Sequence, residues 1–382
     1  SPSCGGSVMQ RVAMNLLWCV PGVGGSEEYL VRQLLGLAEI EHEFTVTVFA
    51  PRGFSQRQPR IAELFDVREA PSSCVRRSVR IILEHTWLAK QTRSFDLVHH
   101  GGGTLPRIGN RTTLLTIHDV QWTAYPDYVH PVKLKYLRRV VPSSIRRATR
   151  IAVPTQFVAN TLAESFGTTS SRVGIVRHGL ESNLSGEATP EHELRAKYSL
   201  GVGPVLVFPA ITHPHKNHRF LLTLMTTGNE AWQDEKLRLV CAGSAGSHQS
   251  AVQTLITELN LGDRVVMPGR VSAADRNGLL KMADAMVFPS EYEGFGAPLI
   301  EAMQLGAPVL ASNCGSIPEV VANAGVVAAL EIDDWNNALI RLRGDRAALV
   351  MSGYQRAQDF TVALSAADLV KEYRTALKGG EL

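Results

Sequence analysis

Two glutamates separated by seven residues, Glu293 and Glu301, bracket the segment Gly294-Phe295-Gly296-Ala297-Pro298-Leu299-Ile300. The segment follows an apolar run ending at Phe288 and opens a run with helical spacing. Gly294 and Gly296 permit backbone conformations and a close ligand approach denied to other residues. Pro298 suits the first helical position, where its missing N–H costs nothing. The N–H groups of Leu299, Ile300 and Glu301 would then point out of a helix start, at a site suited to a diphosphate. Carboxylates are poor anion ligands but good acceptors for sugar hydroxyls on either side of one. The chemistry suggested is the binding of a diphosphate that carries sugars; the plain alternative is a capped helix start with surface glutamates.

A second candidate is Lys216 in Pro209-Ala210-Ile211-Thr212-His213-Pro214-His215-Lys216-Asn217-His218. A lysine at a strand-to-helix turn is placed to neutralise a departing diphosphate. His213, His215 and His218 lack the carboxylate or cysteine company of a metal site, so no metal is expected. Gly22-Val23-Gly24-Gly25-Ser26-Glu27 is a glycine-rich turn but not a full GxGxxG, and a simple tight turn would also explain it. His118-Asp119 follows the apolar run Thr113–Ile117, a place where a lone histidine is more often structural than not. Gly243 and Pro268-Gly269-Arg270-Val271 also fall after apolar runs.

Glu293 and Glu301, with Gly-Phe-Gly-x-Pro between them, resemble the E-x7-E motif of family 4 retaining glycosyltransferases. These are nucleotide-sugar enzymes of the GT-B fold, with two Rossmann-like domains, and the resemblance covers nearly the whole chain. It implies that Glu293 contacts the donor sugar and Glu301 the nucleotide ribose. Gly294, Phe295, Gly296, Leu299 and Ile300 belong to the same donor-binding segment, with amides near Leu299 and Ile300 holding the diphosphate. Lys216 is similar to the family's Lys-Asn element and becomes the diphosphate cation. Gly24 and Gly25 match its glycine loop, and His118 its reaction-centre histidine. Gly243 and Arg270 would line the nucleotide-base pocket, with plain turn residues as the alternative. The family often carries an Arg six residues before Lys216; here that position is Ala210, and Arg270 is the candidate replacement. His118, Lys216 and Glu293 are thus the expected catalytic residues.

The stretch His213–His218 most resembles mannosyltransferases that use GDP-mannose; UDP-glucose and UDP-N-acetylglucosamine are the alternatives. No motif supplies the carboxylate pair of a double displacement, so the implied mechanism is front-face substitution through an oxocarbenium-like state. Without a DxD motif, no metal or other cofactor is expected beside the donor. The rivals are another enzyme class on this fold, such as a sugar-nucleotide epimerase or a phosphorylase, and a non-catalytic binding protein.

The elements needed to position these residues are legible as alternation. Strand-like runs at Val12–Cys19, Phe44–Phe49, Leu97–His99, Thr113–Ile117 and Ile151–Val153 are separated by helical stretches, the first from Glu27 to about Ala38. The pattern weakens at the polar segment 181–189 and restarts with Val205–Phe208, Leu237–Cys241, Arg264–Met267, Ala285–Phe288 and Pro308–Ala311. Such alternation implies parallel sheets covered by helices on both faces. The expected organisation is a Rossmann-like acceptor-side domain over residues 1–185 and a nucleotide-sugar-binding domain over 200–362, facing each other across a deep interdomain cleft. A terminal helix, residues 363–382, crosses back to the first domain if the family resemblance holds. Arg177-His178-Gly179 resembles the family's element before the linker, where Gly179 permits the crossing.

Composition bounds the rest. The chain has 382 residues, 45% apolar and 20% charged, which is ordinary globular usage and argues against long disorder. No apolar run reaches the ~18–20 residues of a membrane span. The run from Val12 to Val20 has a faint likeness to a signal peptide, but it contains an Asn and no small-x-small site follows it, so a first strand is expected. Ser1 to about Ser7 reads as a non-native or processed end. Five cysteines (Cys4, Cys19, Cys74, Cys241 and Cys314) show no CxxC and no zinc spacing, and reduced thiols in a cytoplasm are expected.

Net charge is +3, but residues 1–185 hold 22 Lys and Arg against 14 Asp and Glu, while the remainder holds 17 against 22. The excess lies in two helical segments, from Arg76, Arg77 and Arg80 to Lys90 and Arg93, and from Lys133, Lys135, Arg138 and Arg139 to Arg146, Arg147 and Arg150. Solvated helix faces are the plain explanation. The functional one is a surface for anionic lipid or an acidic acceptor, at the inner face of a membrane. No aromatic platform accompanies the charge, so nucleic acid is not an expected partner.

Overall fold

The structure is a computed structural model that describes residues 9–22, 24–109, 112–182 and 186–379. The expected non-native end, Cys4, Val23 of the glycine turn and residues 183–185 of the expected linker lie outside the described residues. The chain divides into two compact units, one of residues 1–179 with 361–382 and the other of residues 180–360.

The first unit is built on seven strands: β1 (Gln10–Asn15), β2 (Phe44–Ala50), β3 (Asp66–Glu69), β4 (Leu97–His100), β5 (Thr113–Thr116), β6 (Arg150–Val153) and β7 (Val173–Ile175). Their order is β3-β2-β1-β4-β5-β6-β7, and each neighbouring pair is parallel. The glycine turn opens helix α1 (Gly25–Glu39), and the two basic segments form helices α2 (Arg77–Leu83) and α3 (Pro131–Arg147). β1 stops at Asn15, four residues before the expected end. Leu16, Leu17 and Cys19 are buried all the same, in a turn closed by Cys19 N–H donating to Leu16 O at 2.9 Å. An apolar run reports burial, and here burial outlasts the strand.

The terminal helix, Val362–Gly379, packs along α1 in this first unit. The approach is so close that a Cβ on Gly36 of α1 would lie 1.9 Å from the carbonyl oxygen of Val362. Leu369, Tyr373 and Ala376 join the core formed by Val12, Met14 and Leu97. The Tyr373 hydroxyl contacts His99 Nδ1 at 2.9 Å, and Arg150 Nε donates to Glu372 Oε2 at 2.5 Å. Burial, with His100 and His118 nearby, pushes the His99 pKa down to about 3.

The second unit carries β8 (Val205–Val207), β9 (Arg238–Val240), β10 (Val265–Val266), β11 (Ala285–Phe288), β12 (Val309–Ser312) and β13 (Val326–Ala328) in the order β10-β9-β8-β11-β12-β13, again all parallel. Helices α4 (His218–Thr227) and α5 (Ala297–Gln304) follow β8 and β11. Part of the segment expected to link the domains belongs to this unit. Leu180, Leu194 and Leu200 are buried in its core, Leu194 on the helix Glu191–Lys197. The boundaries therefore fall after Gly179 and after Phe360, not at 185–200 and 362.

Candidate active site

β11 delivers the chain to the carboxyl edge of the second sheet, where residues 289–296 form a loop and α5 begins. Gly296 caps the helix with φ 88°, a left-handed conformation natural to glycine. Pro298 is the second helical residue, and Leu299 N–H donates to Gly296 O at 3.0 Å. The first turn thus closes tightly, i to i+3, and the Leu299 amide is spent inside the helix. The Leu299 amide, expected with that of Ile300 to meet a diphosphate, has Gly296 O as its partner in this structure. Leu299 and Ile300 bury their side chains completely, and Phe295 packs edge-on against Phe360 at 5.5 Å. Glu301 is buried on the first turns of α5, and Glu293 lies in the loop before it.

Lys216 ends a short 3-10 turn after β8, and Asn217, at φ 56°, turns the chain into α4. Its Nζ donates to Glu293 Oε1 at 2.5 Å and lies 5.4 Å from the centre of the Phe288 ring. Both side chains of the pair are less than a fifth exposed. Two residues 77 positions apart in sequence, each picked out for catalysis, thus meet as one ion pair. The two loops are also tied through the backbone, Glu291 N–H donating to His215 O at 2.8 Å. Burial, then the Lys216 charge and His213, hold His215 down to about 3, and burial with Lys216 leads the causes that hold His218 to about 4. Both imidazoles are neutral near pH 7. Among the described residues, no group of three or more His, Cys, Asp or Glu is arranged to hold a metal ion.

Gly243 sits where a Cβ would come 1.9 Å from Ala210 O, so its small size serves the packing of the loops after β8 and β9. Arg270 is exposed on the loop after β10, next to Gly269 at φ 74°. Among the described residues, no hydrogen bond or ion pair joins it to Lys216 or Glu293.

In the first unit Gly24, at φ 76°, precedes Gly25, the first residue of α1. A Cβ at either would meet nothing within 4 Å, so open space lies above this turn. His118 follows β5; its Nε2 lies 2.7 Å from Gly101 O, so Nε2 carries the proton and Nδ1 is left as an acceptor. The ring is held edge-on by Trp18 at 5.4 Å and by Tyr29 at 5.5 Å. Burial lowers the His118 pKa despite the Gly101 bond and Asp119, which act the other way. The result is a neutral imidazole in a fixed orientation.

Sequence reasoning missed the aromatic frame of His118, in which His178 also stacks on Tyr29 at 4.3 Å. Trp18, only a few residues before the glycine turn, was the one available signal. It also missed Asn15, His100 and Glu84. Asn15 and His100 are register partners at the ends of β1 and β4, where the strand order reverses. In open parallel sheets that reversal marks the ligand crevice. Asn15 Nδ2 donates to Glu84 Oε1 at 3.2 Å and to His100 Nδ1 at 3.0 Å, while Leu17 N–H donates to its Oδ1 at 3.1 Å. Glu84 opens a π-helical turn that continues α2, and burial raises its pKa. These residues are recognisable only once the strand order is known.

Two family models match the chain: Glycosyltransferase Family 4 over residues 23–184 and Glycosyl transferases group 1 over residues 191–358. The chain belongs to glycosyltransferase family 4. Within this glycosyltransferase, His118, Gly24 and Gly25 fall in the first match, and Lys216, Gly243, Arg270 and the segment 293–301 fall in the second. O-antigen chain mannosyltransferase B of Escherichia coli is 26% identical over 325 residues, covering 80% of this chain and 82% of that protein. O-antigen chain mannosyltransferase RfbU of Salmonella typhimurium is 26% identical over 244 residues, 63% of this chain and 62% of that protein. The match therefore spans less than two thirds of RfbU. The solved structure of Anabaena Alr3699/HepE in complex with UDP and glucose superposes with a TM-score of 0.74 at 18% identity, covering 96% of this chain and 99% of that one. That likeness is one of fold: the glycosyltransferase has the two Rossmann-like, parallel-sheet domains of GT-B.

Proposed function

We propose that this glycosyltransferase moves a hexose, first of all mannose from GDP-mannose, to a hydroxyl of a saccharide or lipid-linked acceptor, with retention of configuration. The observation that carries the reading is the Lys216–Glu293 contact at 2.5 Å beside the start of α5. It joins a cation for the leaving diphosphate to a carboxylate for the sugar. Glu293 is assigned to sugar hydroxyls once the diphosphate takes Lys216, which favours front-face substitution over a carboxylate nucleophile. Lys216 and the α5 start stabilise the charge that develops on the diphosphate, and the diphosphate oxygen helps to deprotonate the acceptor. Within the first unit, His118 offers Nδ1 as a hydrogen-bond acceptor for a sugar hydroxyl, and the open space above Gly24 and Gly25 lets a phosphate approach the backbone of that turn. Mannose is preferred as the donor sugar because two similar proteins are named mannosyltransferases. No metal or further cofactor is assigned a role.

For the acceptor, the Asn15–Glu84–His100 cluster at the strand-order reversal is a polar group in the first unit suited to sugar hydroxyls. Arg77 lies 5.2 Å from the ring centre of Tyr136, joining the two basic helices α2 and α3. α2 buries no residue, and Val75, Ile82 and Val132 are exposed among the arginines and lysines. Apolar side chains among cations suit peripheral contact with an anionic leaflet, where each basic residue is worth ~1 kcal/mol. No helix among the described residues is long and apolar enough to cross a membrane.

A thermal-shift panel of nucleoside diphosphates, followed by NMR of the product anomer, tests the donor and the stereochemistry. Stabilisation by GDP and an α-mannoside from GDP-α-mannose are expected. Stabilisation by UDP and not GDP moves the reading to UDP-glucose or UDP-N-acetylglucosamine, and an epimer in place of a glycoside makes the protein an epimerase. Bound donor that never releases nucleoside diphosphate makes it a binding protein. Co-sedimentation with anionic vesicles at low salt, lost on changing Arg76, Arg77, Arg138 and Arg139 to Glu, is expected; no change refutes the membrane contact.

A further inference from the structure

The loop that carries Glu293 has no regular secondary structure, yet its carboxylate must hold one position relative to Lys216 and α5. Its restraint comes from the neighbouring strand. β12 is paired with β11, and the residues that follow it, Asn313-Cys314-Gly315-Ser316, run alongside the glutamate loop. Ser316 N–H donates to Glu293 O at 3.1 Å. Ser316 Oγ, on a fully buried side chain, donates to Phe295 O at 3.1 Å. One step earlier, Ser312 Oγ donates to Ser290 O at 2.5 Å. Gly315 fits only without a side chain: its φ is 61°, and a Cβ there would lie 2.8 Å from both Glu293 N and Glu293 O.

These contacts reach the main chain on both sides of the glutamate and at the glutamate itself. The other side of the loop is tied to the Lys216 turn by the Glu291–His215 backbone bond. The carboxylate is therefore aimed from two neighbouring strand ends. Side-chain hydroxyls that satisfy buried carbonyls hold a loop more firmly than solvent can, because breaking such a bond leaves an unpaired buried acceptor.

We propose that Ser316 and Gly315 are positioning residues of the transfer reaction. They touch neither donor nor acceptor; they fix the main chain of Glu293–Phe295 so that the carboxylate meets the sugar in the transition state. The inference rests on the proposed role of Glu293. Because the diphosphate is held mainly by Lys216 and α5, loss of the brace should weaken turnover far more than it weakens nucleotide binding.

The test compares Ser316→Ala, Ser316→Thr and Gly315→Ala with Glu293→Ala in the full chain. Turnover of GDP-mannose and of UDP-glucose is followed by release of nucleoside diphosphate, affinity for GDP and UDP by calorimetry, and folding by Tm. Ser316→Ala and Gly315→Ala are expected to lower kcat about 10-fold or more, with donor KM and nucleoside diphosphate Kd within about threefold of wild type. Ser316→Thr, which keeps the hydroxyl, should recover most of kcat. Unchanged kcat in both Ser316→Ala and Gly315→Ala overturns the proposal, as does a fall in Kd affinity or Tm that accounts for the lost activity. If Glu293→Ala itself keeps full kcat, the reading of Glu293 has failed instead, and the two failures are told apart.

Discussion

Replacing Glu293 by Gln should make the protein bind free GDP more tightly while it stops transferring sugar. Without donor, the Lys216 ammonium is already neutralised at 2.5 Å by a carboxylate in a site where both side chains are mostly shielded from water. A diphosphate that takes Lys216 must first displace that carboxylate. Two unit charges about 4 Å apart attract by roughly 4 kcal/mol at an effective dielectric near 20. Desolvation takes back much of this, leaving about 1–2 kcal/mol for the diphosphate to overcome. Gln keeps the shape and a neutral hydrogen bond but gives up the charge, so the GDP Kd should tighten by roughly 5- to 30-fold. The gain should be smaller for GDP-mannose, whose sugar loses its carboxylate contact. Transfer should fall at least ~100-fold, a loss of about 3 kcal/mol of transition-state stabilisation. Isothermal calorimetry with GDP, and with UDP in parallel, reads the first effect, and initial rates read the second. A Kd for Glu293→Gln equal to or weaker than that of wild type, for both nucleotides, would refute the competition between Glu293 and the diphosphate.

Lys216→Ala should lower transfer by at least ~100-fold with circular dichroism and Tm close to wild type; near-normal kcat would remove Lys216 from the active site. Burial holds His99 and His100 near 3 and leads the causes holding His215 near 3 and His218 near 4. An unfolded histidine titrates near 6.5, so below about pH 6.5 the unfolded chain binds protons that the folded chain refuses, and stability falls as pH drops toward 4. Denaturant midpoints should accordingly be lower at pH 5 than at pH 7, and equal midpoints would contradict neutral buried imidazoles. Tyr373→Ala should cost about 3–5 kcal/mol by denaturant unfolding, and Tyr373→Phe, which loses only the hydroxyl contact to His99, about 1 kcal/mol. Similar losses for the two would mean that the ring contributes little.

The sequence shows where apolar runs lie more reliably than what they become. β2, β4, β5, β6 and β11 were legible because each is a short buried run bounded by polar residues. β3, with the sequence Asp-Val-Arg-Glu, was not, since an edge strand half open to water needs no apolar pattern. β7 and β13 escaped for the same reason, as three-residue edge strands. At the site, Gly294, Gly296 and Pro298 announced a helix start, but the capture of the Leu299 amide by Gly296 depends on how tightly the first turn closes. Lys216 and Glu293 could each be picked out by local context. Their pairing could not, because it depends on β8 and β11 being neighbours in the sheet. The aromatic frame of His118 and the Asn15–Glu84–His100 cluster likewise depend on strand order and carry no local motif.

The route of the chain has a consequence for its manufacture. The first unit needs the terminal helix to cover Leu97, Leu114 and Ala152, yet about 180 residues of the second unit are made in between. At a ribosomal rate of ~5–20 residues per second, that is a wait of roughly 10–40 s. During it, the β-sheet that began first lies with an apolar face uncovered, while the second unit emerges as one continuous stretch and can complete its own core. The second unit can therefore complete its core before the first, the reverse of the usual amino-to-carboxyl order. A chaperone that recognises exposed apolar strands has its window on this chain before residue 361 leaves the ribosome. The half of the enzyme that starts first is finished last.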